Sequence, residues 1–239
     1  MQRLLMLLAT DVPATLEASL REHEAALGAI SASADARLRL AVQLEGDPMS
    51  AEAAGDARTV APLRGLVELT VDGDDPAPLL GVVSEIAAEL KDVVNWPASA
   101  VSVGVVNQVL PARSDAILLT LAANRLPSID RKGFHDYWLD VHASLAMSML
   151  DDEKKSKMGY VQIHSDEDSS ATATRLAGAK PTSYDGVLQC SLAEVTDLPH
   201  LTVPGFAEVI MKDEENFADQ SAEMLGAFMR TLQPQGAAS

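Results

Sequence analysis

Between Phe134 and His142 the chain sets two imidazoles, a phenol and an indole on one stretch, and these residue types move protons or hold flat apolar molecules. His142 leads. Its imidazole can accept and return a proton near neutral pH, which suits enolisation, dehydration or cyclisation without a cofactor. The competing assignment is an imidazole hydrogen-bonded inside helix–sheet packing. Tyr137 could donate its phenolic proton to a developing enolate oxygen, a role that needs no metal. Trp138 fills core and forms an aromatic wall, with Phe134 and Met149 shaping an apolar pocket beside it. His135 is adjacent but less inward, so solvent exposure is expected of it.

A second polar row lies in Met158 to His164. Tyr160, Gln162 and His164 share one face of a strand there, with Val161 and Ile163 on the other. Tyr160 and His164 are therefore candidate substrate contacts opposite His142, and Asn107 ranks behind them. Which face meets the helix is not set by spacing. Asp185 reads as a turn residue at a strand start. No metal site is expected: there is no cysteine cluster and no His-Glu-x-x-His, and His135 and His142 stand about two turns apart. Cys190 is the sole cysteine and reads as a small buried thiol.

The element that must position the first set is a helix over 129–150. At 100° per residue Phe134, Trp138, Val141, Leu145 and Met149 form one buried stripe, with Tyr137 at one edge and His142 at the other. Asp136 and Asp140 point to water, and Ser128 or Asp130 caps the start. Around this helix the chain reads as β-α-β-β-α-β twice. The first pass uses Leu4–Ala9, a helix after Pro13, Arg37–Leu44, Leu66–Val71, a helix after Pro76 or Pro78, and Val101–Leu110. The second uses Ala116–Ala123, the helix 129–150, Lys157–His164, Gly186–Ala193, a helix near 205–217 and a strand near 223–232. Pro111 to Asp115 is the turn-rich junction. The expected fold is therefore α+β: two tandem ferredoxin-like units, 1–111 and 112–239, pairing their sheets into an antiparallel β-barrel flanked by helices. Residues 165–183 show no periodicity and read as a mobile loop, and the tail from Gln233 as frayed.

The stretch Phe134-His-Asp-Tyr-Trp-Leu-Asp-Val-His142-Ala-Ser-Leu resembles the signature of the EthD family: a Phe, then Tyr-Trp, then His-Ala-x-Leu on the first helix of a ferredoxin-like unit. Lys212-Asp-Glu-Glu-Asn-Phe217-Ala-Asp219 is similar to that family's second landmark, an acidic run followed by Phe-x-Asp before the last strand. Together they cover roughly 113–235. The resemblance implies the dimeric α+β barrel superfamily, whose members include cofactor-free cyclases, isomerases and dehydratases, quinone-forming monooxygenases and some haem proteins. It also implies a functional histidine at 142.

Composition sets the outer bounds. With 47% hydrophobic and 22% charged residues in 239, the composition is ordinary for a soluble globular protein, and burial of a substantial core is feasible. A formal charge of −17 opposes binding to nucleic-acid phosphates or to an anionic membrane surface. The apolar start, Met1 to Ala9, is short and lacks a small-residue cleavage site, so it reads as a strand and the protein as cytoplasmic. Three functions fit. The first is a cofactor-independent lyase, isomerase or cyclase acting on a small hydrophobic, aromatic or oxygenated metabolite. The second is a non-catalytic small-molecule binding or accessory protein, and the third a haem- or oxygen-dependent redox enzyme. A homodimer of the double unit is compatible with the sequence, though nothing in it requires one.

Overall fold

The computed structural model describes residues 1–49, 60–112, 114–181 and 184–233. Nine strands run in chain order as β1 Gln2–Leu8, β2 Arg37–Gln43, β3 Val60–Pro62, β4 Gly65–Val71, β5 Ala100–Leu110, β6 Ile117–Ala123, β7 Met158–Ser165, β8 Gly186–Leu192 and β9 Met224–Thr231. Their order in space is β2-β4-β1-β5-β7-β8-β6-β9, and β9 returns to β2 through Ala41–Gln43 against Met229–Thr231, which closes an antiparallel barrel. Short β3 adds on parallel to β9. The first four barrel strands and the last four each follow the ferredoxin-like order, and β5–β7 and β2–β9 are the seams between them.

β1 and β4 are buried on both faces, which is why they read as almost unbroken apolar runs. From β1, Leu4, Met6 and Leu8 meet the helices, while Leu5 and Leu7 fill the barrel with Leu66, Ala122, Val187 and Met229. The alternation of β2 misleads in this respect. Arg37 at its start meets water, but Arg39 and Ala41 on the same face look into the barrel. There Arg39 Nη2 donates to Glu68 Oε2 at 2.6 Å, Arg3 Nη1 to Gln189 Oε1 at 2.5 Å, and Gln189 Nε2 to Glu68 Oε2 at 2.9 Å. This network ties β1, β2 and β4 across the interior to β8.

Over the first half pack α1 Pro13–Glu22, α2 Glu24–Ser33 and α3 Ala77–Glu89, on an aliphatic layer of Leu16, Leu20, Leu27, Leu79, Val83 and Ile86. Over the second half lie α4 Arg131–Ser148, α5 Asp152–Lys155, α7 Pro199–Thr202 and α8 Phe206–Glu214. Between them the chain adds α6, Glu167–Ala177, where the sequence suggested a mobile loop. Asp166 caps α6 by accepting from Ser169 N at 2.9 Å, and Gly178 ends it in the left-handed conformation at φ 67°. Its small residues let it sit close on β5: Ser170 Oγ bonds the Val103 backbone, and Ala173 is fully buried. The polar look of this segment comes from small side chains at a tight contact, a signal that composition confuses with a linker. The connection expected over 46–61 lies mostly outside the described residues, as does the tail from 234.

Candidate functional site

Helix α4 begins as expected, with Asp130 Oδ1 accepting from Gly133 N at 2.7 Å. Its middle departs from the α form. Over Tyr137–His142 the chain makes a π turn, in which Ala143 N bonds Trp138 O, five residues back. The same Trp138 carbonyl accepts from Gln162 Nε2 of β7 at 3.0 Å, so the strand supports the widened turn. A π turn takes up one extra residue, and the buried stripe shifts by one after it. Where a uniform helix would bury Val141, Leu145 and Met149, the buried positions are His142, Ala146 and Leu150. Val141 instead stands 46% exposed. His142, expected at the edge of the stripe, is at its centre with 6% exposure.

The group facing His142 comes from the last turn of α8. His142 Nδ1 donates to Asp213 Oδ2 at 2.8 Å, and the Tyr137 hydroxyl donates to Asp213 Oδ1 at 2.8 Å. Asn216 Nδ2 holds the Asp213 carbonyl at 3.1 Å. Phe217 packs over the assembly, its ring 4.9 Å from His142, 5.3 Å from Tyr137 and 5.6 Å from Phe134. Leu126 N to Phe217 O, at 2.8 Å, fastens the Phe217 backbone to the segment between β6 and α4. The two sequence landmarks therefore meet face to face. Burial lowers the His142 pKa more than Asp213 restores it, so the ring is neutral near pH 7. With Nδ1–H given to the carboxylate, the lone pair lies on Nε2. Burial and the Asp213 carboxylate both raise the Tyr137 phenol.

The other predicted residues separate into a second group. His135 donates from Nε2 to the Asp185 carbonyl at 2.7 Å and stacks on His164 with ring centres 4.3 Å apart. It is half-buried, and not the solvent-exposed ring expected. His164 donates to Gln162 Oε1 at 3.0 Å and lies beside Trp138. Burial first, then the neighbouring His135, pushes the His164 pKa down to about 3. Tyr160 is buried under α4, its oxygen accepting from Gln162 Nε2 at 2.7 Å, and burial raises its phenol strongly. So the polar face of β7 is the one that meets the helix, while Ile163 and Val161 face the barrel. Met149 sits farther along, partly buried with the cluster of Met158, Leu192 and Ile210. Asp185 is no turn residue. It is 6% exposed, receives Arg131 Nε at 2.9 Å and Arg125 N at 3.0 Å, and anchors the start of α4.

Asp213 and Phe217 complete the cluster around His142, and residue-type reasoning passed over both. An Asp-Glu-Glu run on a helix reads as a solvated face, and only the family landmark pointed at it. Cys190 is buried as expected, its thiol pushed up to about 12 by burial. Among the described residues no group of three or more His, Cys, Asp or Glu side chains is placed to hold a metal ion. His142 is packed against Phe217, and His200 lines an open surface groove of about 410 Å³ made by Leu201 to Gly205 and the start of α8.

The closed barrel and its helix layer define a protein of the dimeric α+β barrel type, with both units in one chain. Residues 126–221, which hold His142, Asp213 and Phe217, match the EthD domain family, so the second half carries an EthD domain. No curated protein matches the chain. Among solved structures, an anthrone oxidase-like protein aligns with a TM-score of 0.56 and 10% identity over 100% of this chain and 96% of that one. A dye-decolorizing peroxidase from Bacteroides thetaiotaomicron aligns at 0.51 and 9% identity over 96% and 92%. At such identities the likeness is one of fold.

Proposed function

We propose that this protein is a cytoplasmic enzyme of small-molecule metabolism that moves a proton on a hydrophobic, aromatic or oxygenated substrate, acting as a lyase, isomerase or cyclase without a bound cofactor. The observation that carries this reading is the Asp213 carboxylate held between the Tyr137 phenol and the His142 imidazole. Asp213 fixes the tautomer, leaving Nε2 of His142 as the base. In the forward step the C–H bond next to a substrate carbonyl breaks, its proton goes to Nε2, and its electron pair moves onto the carbonyl oxygen. Tyr137 turns its O–H from Asp213 to that oxygen, and the developing imidazolium is met by Asp213. Return of the proton to another carbon gives isomerisation, and loss of a leaving group gives elimination.

Anthrone, an aromatic carbon acid of the class named by one structural neighbour, separates this step from any later chemistry. Incubated without oxygen in deuterium oxide, the protein should exchange the ring methylene hydrogens faster than buffer does. His142→Ala should lower that rate by about 10²–10⁴-fold while leaving circular dichroism unchanged. Exchange at the buffer rate, or full exchange by the variant, would remove the proposal.

A second reading has an observation of its own. His142 is 6% exposed and lines neither of the surface hollows near His200 and Ala32, so the Asp213 pair also suits a clamp between α4 and α8 in a small-molecule carrier. That protein would bind anthrone without exchanging its hydrogens, and His142→Ala would lower stability instead of turnover.

A further inference from the structure

We propose that the end of the barrel interior around Arg3 and Arg39, apart from the His142 cluster, binds a monatomic anion, chloride or another halide, between Arg39 Nε and the Thr120 hydroxyl. Thr120 stands opposite Gln189 of β8 and Ala227 of β9, and Leu118 and Ala122, two residues to either side, belong to the interior cluster. Its hydroxyl therefore enters the barrel beside Gln189. Arg39 reaches the same amide from β2, with Nη2 3.4 Å from Gln189 Oε1. Thr120 is fully buried, yet neither its Oγ1 nor the buried Nε of Arg39 has a hydrogen-bond partner among the described residues. A buried donor left unmet is costly, so each calls for an acceptor. The acceptors close by are already taken. Glu68 receives Arg39 Nη2 on both oxygens, at 2.7 and 2.6 Å, and Gln189 Nε2 at 2.9 Å. Gln189 Oε1 receives Arg3 Nη1 at 2.5 Å, and Ala227 offers only a methyl group. A water would accept from both donors but bring two protons of its own to a place short of acceptors, whereas a halide accepts and brings none. Charge points the same way, because the buried set holds two guanidiniums and one carboxylate. Burial lowers the Arg3 guanidinium from its ordinary value, Glu68 restores it only in part, and Arg39 and Arg37 press it further down. The remaining charges on this face stand at the rim. Arg37 is exposed and paired with Asp72 at 3.2 Å, and Asp115, 55% exposed, stays 4.0 Å from Arg39 Nη1. The Arg39 side chain is itself 20% exposed there, which gives an ion its way in.

The test uses the full chain in sodium chloride or sodium bromide, with ionic strength held constant by sodium gluconate, whose anion is too bulky for the barrel. The melting temperature should rise by about 3–6 °C for each tenfold increase in halide beyond the dissociation constant. Thr120→Val keeps the shape and removes the donor, so it should lose most of that rise, while Thr120→Ser should keep it. Glu68→Gln removes the competing negative charge and should respond at a lower halide concentration than the wild type. Crystals grown in sodium bromide should show an anomalous bromine peak in contact with Thr120 Oγ1 and Arg39 Nε. An equal response from wild type and Thr120→Val would overturn the site and assign the salt effect to screening. Bromine found only on the outer surface would overturn it too, and give the two donors to water. If Glu68→Gln fails to fold, the two threonine variants and the bromine peak still decide the matter.

Discussion

At the scale of single residues the site depends on one carboxylate serving two partners. Asp213→Asn keeps the shape but offers an amide where Nδ1–H needs an acceptor, so the ring can settle with its proton on Nε2, the wrong tautomer for a base. We expect anthrone exchange to fall by about 10²–10⁴-fold with little change in thermal stability, as read by exchange rate and melting curves together. The pH profile follows from burial. Because the His142 pKa lies below its ordinary value of 6.5, the base stays free as pH falls through 6.5, and the acid limb of kcat/KM should lie lower still. A limb at or above 6.5 would mean that the exchanging group is not this imidazole. The residues of this site were only half legible in the sequence. His142 and Tyr137 declare themselves by chemical type, but nothing in Lys212-Asp-Glu-Glu distinguishes the one carboxylate that turns inward from the two beside it.

At the scale of elements, α4 shows why a helical wheel places Val141 inside and finds it outside. Periodicity assumes a constant turn, and a single π turn resets the phase for every residue that follows. The mirror case is α6, whose Ser-Ser-Ala-Thr-Ala run lacks large apolar side chains because β5 lies too close for them. Removing its cap by Asp166→Ala should cost about 1 kcal/mol, measurable by urea unfolding. The seat of Trp138 makes a stricter demand. A Cβ at Gly186 would come within 2.3 Å of the indole Cζ3, so Gly186→Ala should destabilise by about 1–3 kcal/mol and disturb the His164 ring stacked beside the indole. Unchanged stability in that variant would mean that the indole does not rest on β8.

At the scale of the whole molecule, the two passes of β-α-β-β-α-β were the most legible feature, because strand alternation and spacing survive without any knowledge of partners. What could not be read was the barrel interior, where Arg3, Arg39, Glu68 and Gln189 take positions that look solvent-facing in a strand. Burial alone would raise the Glu68 carboxyl, but Arg39 and Arg3 outweigh it and hold it below the ordinary range. Glu68→Gln leaves two guanidiniums without their counter-charge, and we expect about 3–5 kcal/mol of lost stability in denaturant unfolding. The histidines act in the same direction on acidification. His142, His135 and His164 all have lowered pKa values, so below pH 6.5 the unfolded chain binds more protons than the native one and stability drops, down to about 3 for His164. Melting temperature should therefore decline steadily from pH 6.5 downward, and a flat profile to pH 4 would contradict this account.

The helix layer over the first half is a leucine, valine and isoleucine core with a partly exposed His23–Glu89 pair, whereas the corresponding layer over the second half holds the more deeply buried His142–Asp213 pair and the Tyr137 phenol. A chain that looks twofold by its strands should then saturate with a single equivalent of any tight inhibitor, and calorimetric titration returning two equal sites per polypeptide would show that the aliphatic half has kept a vacancy of its own.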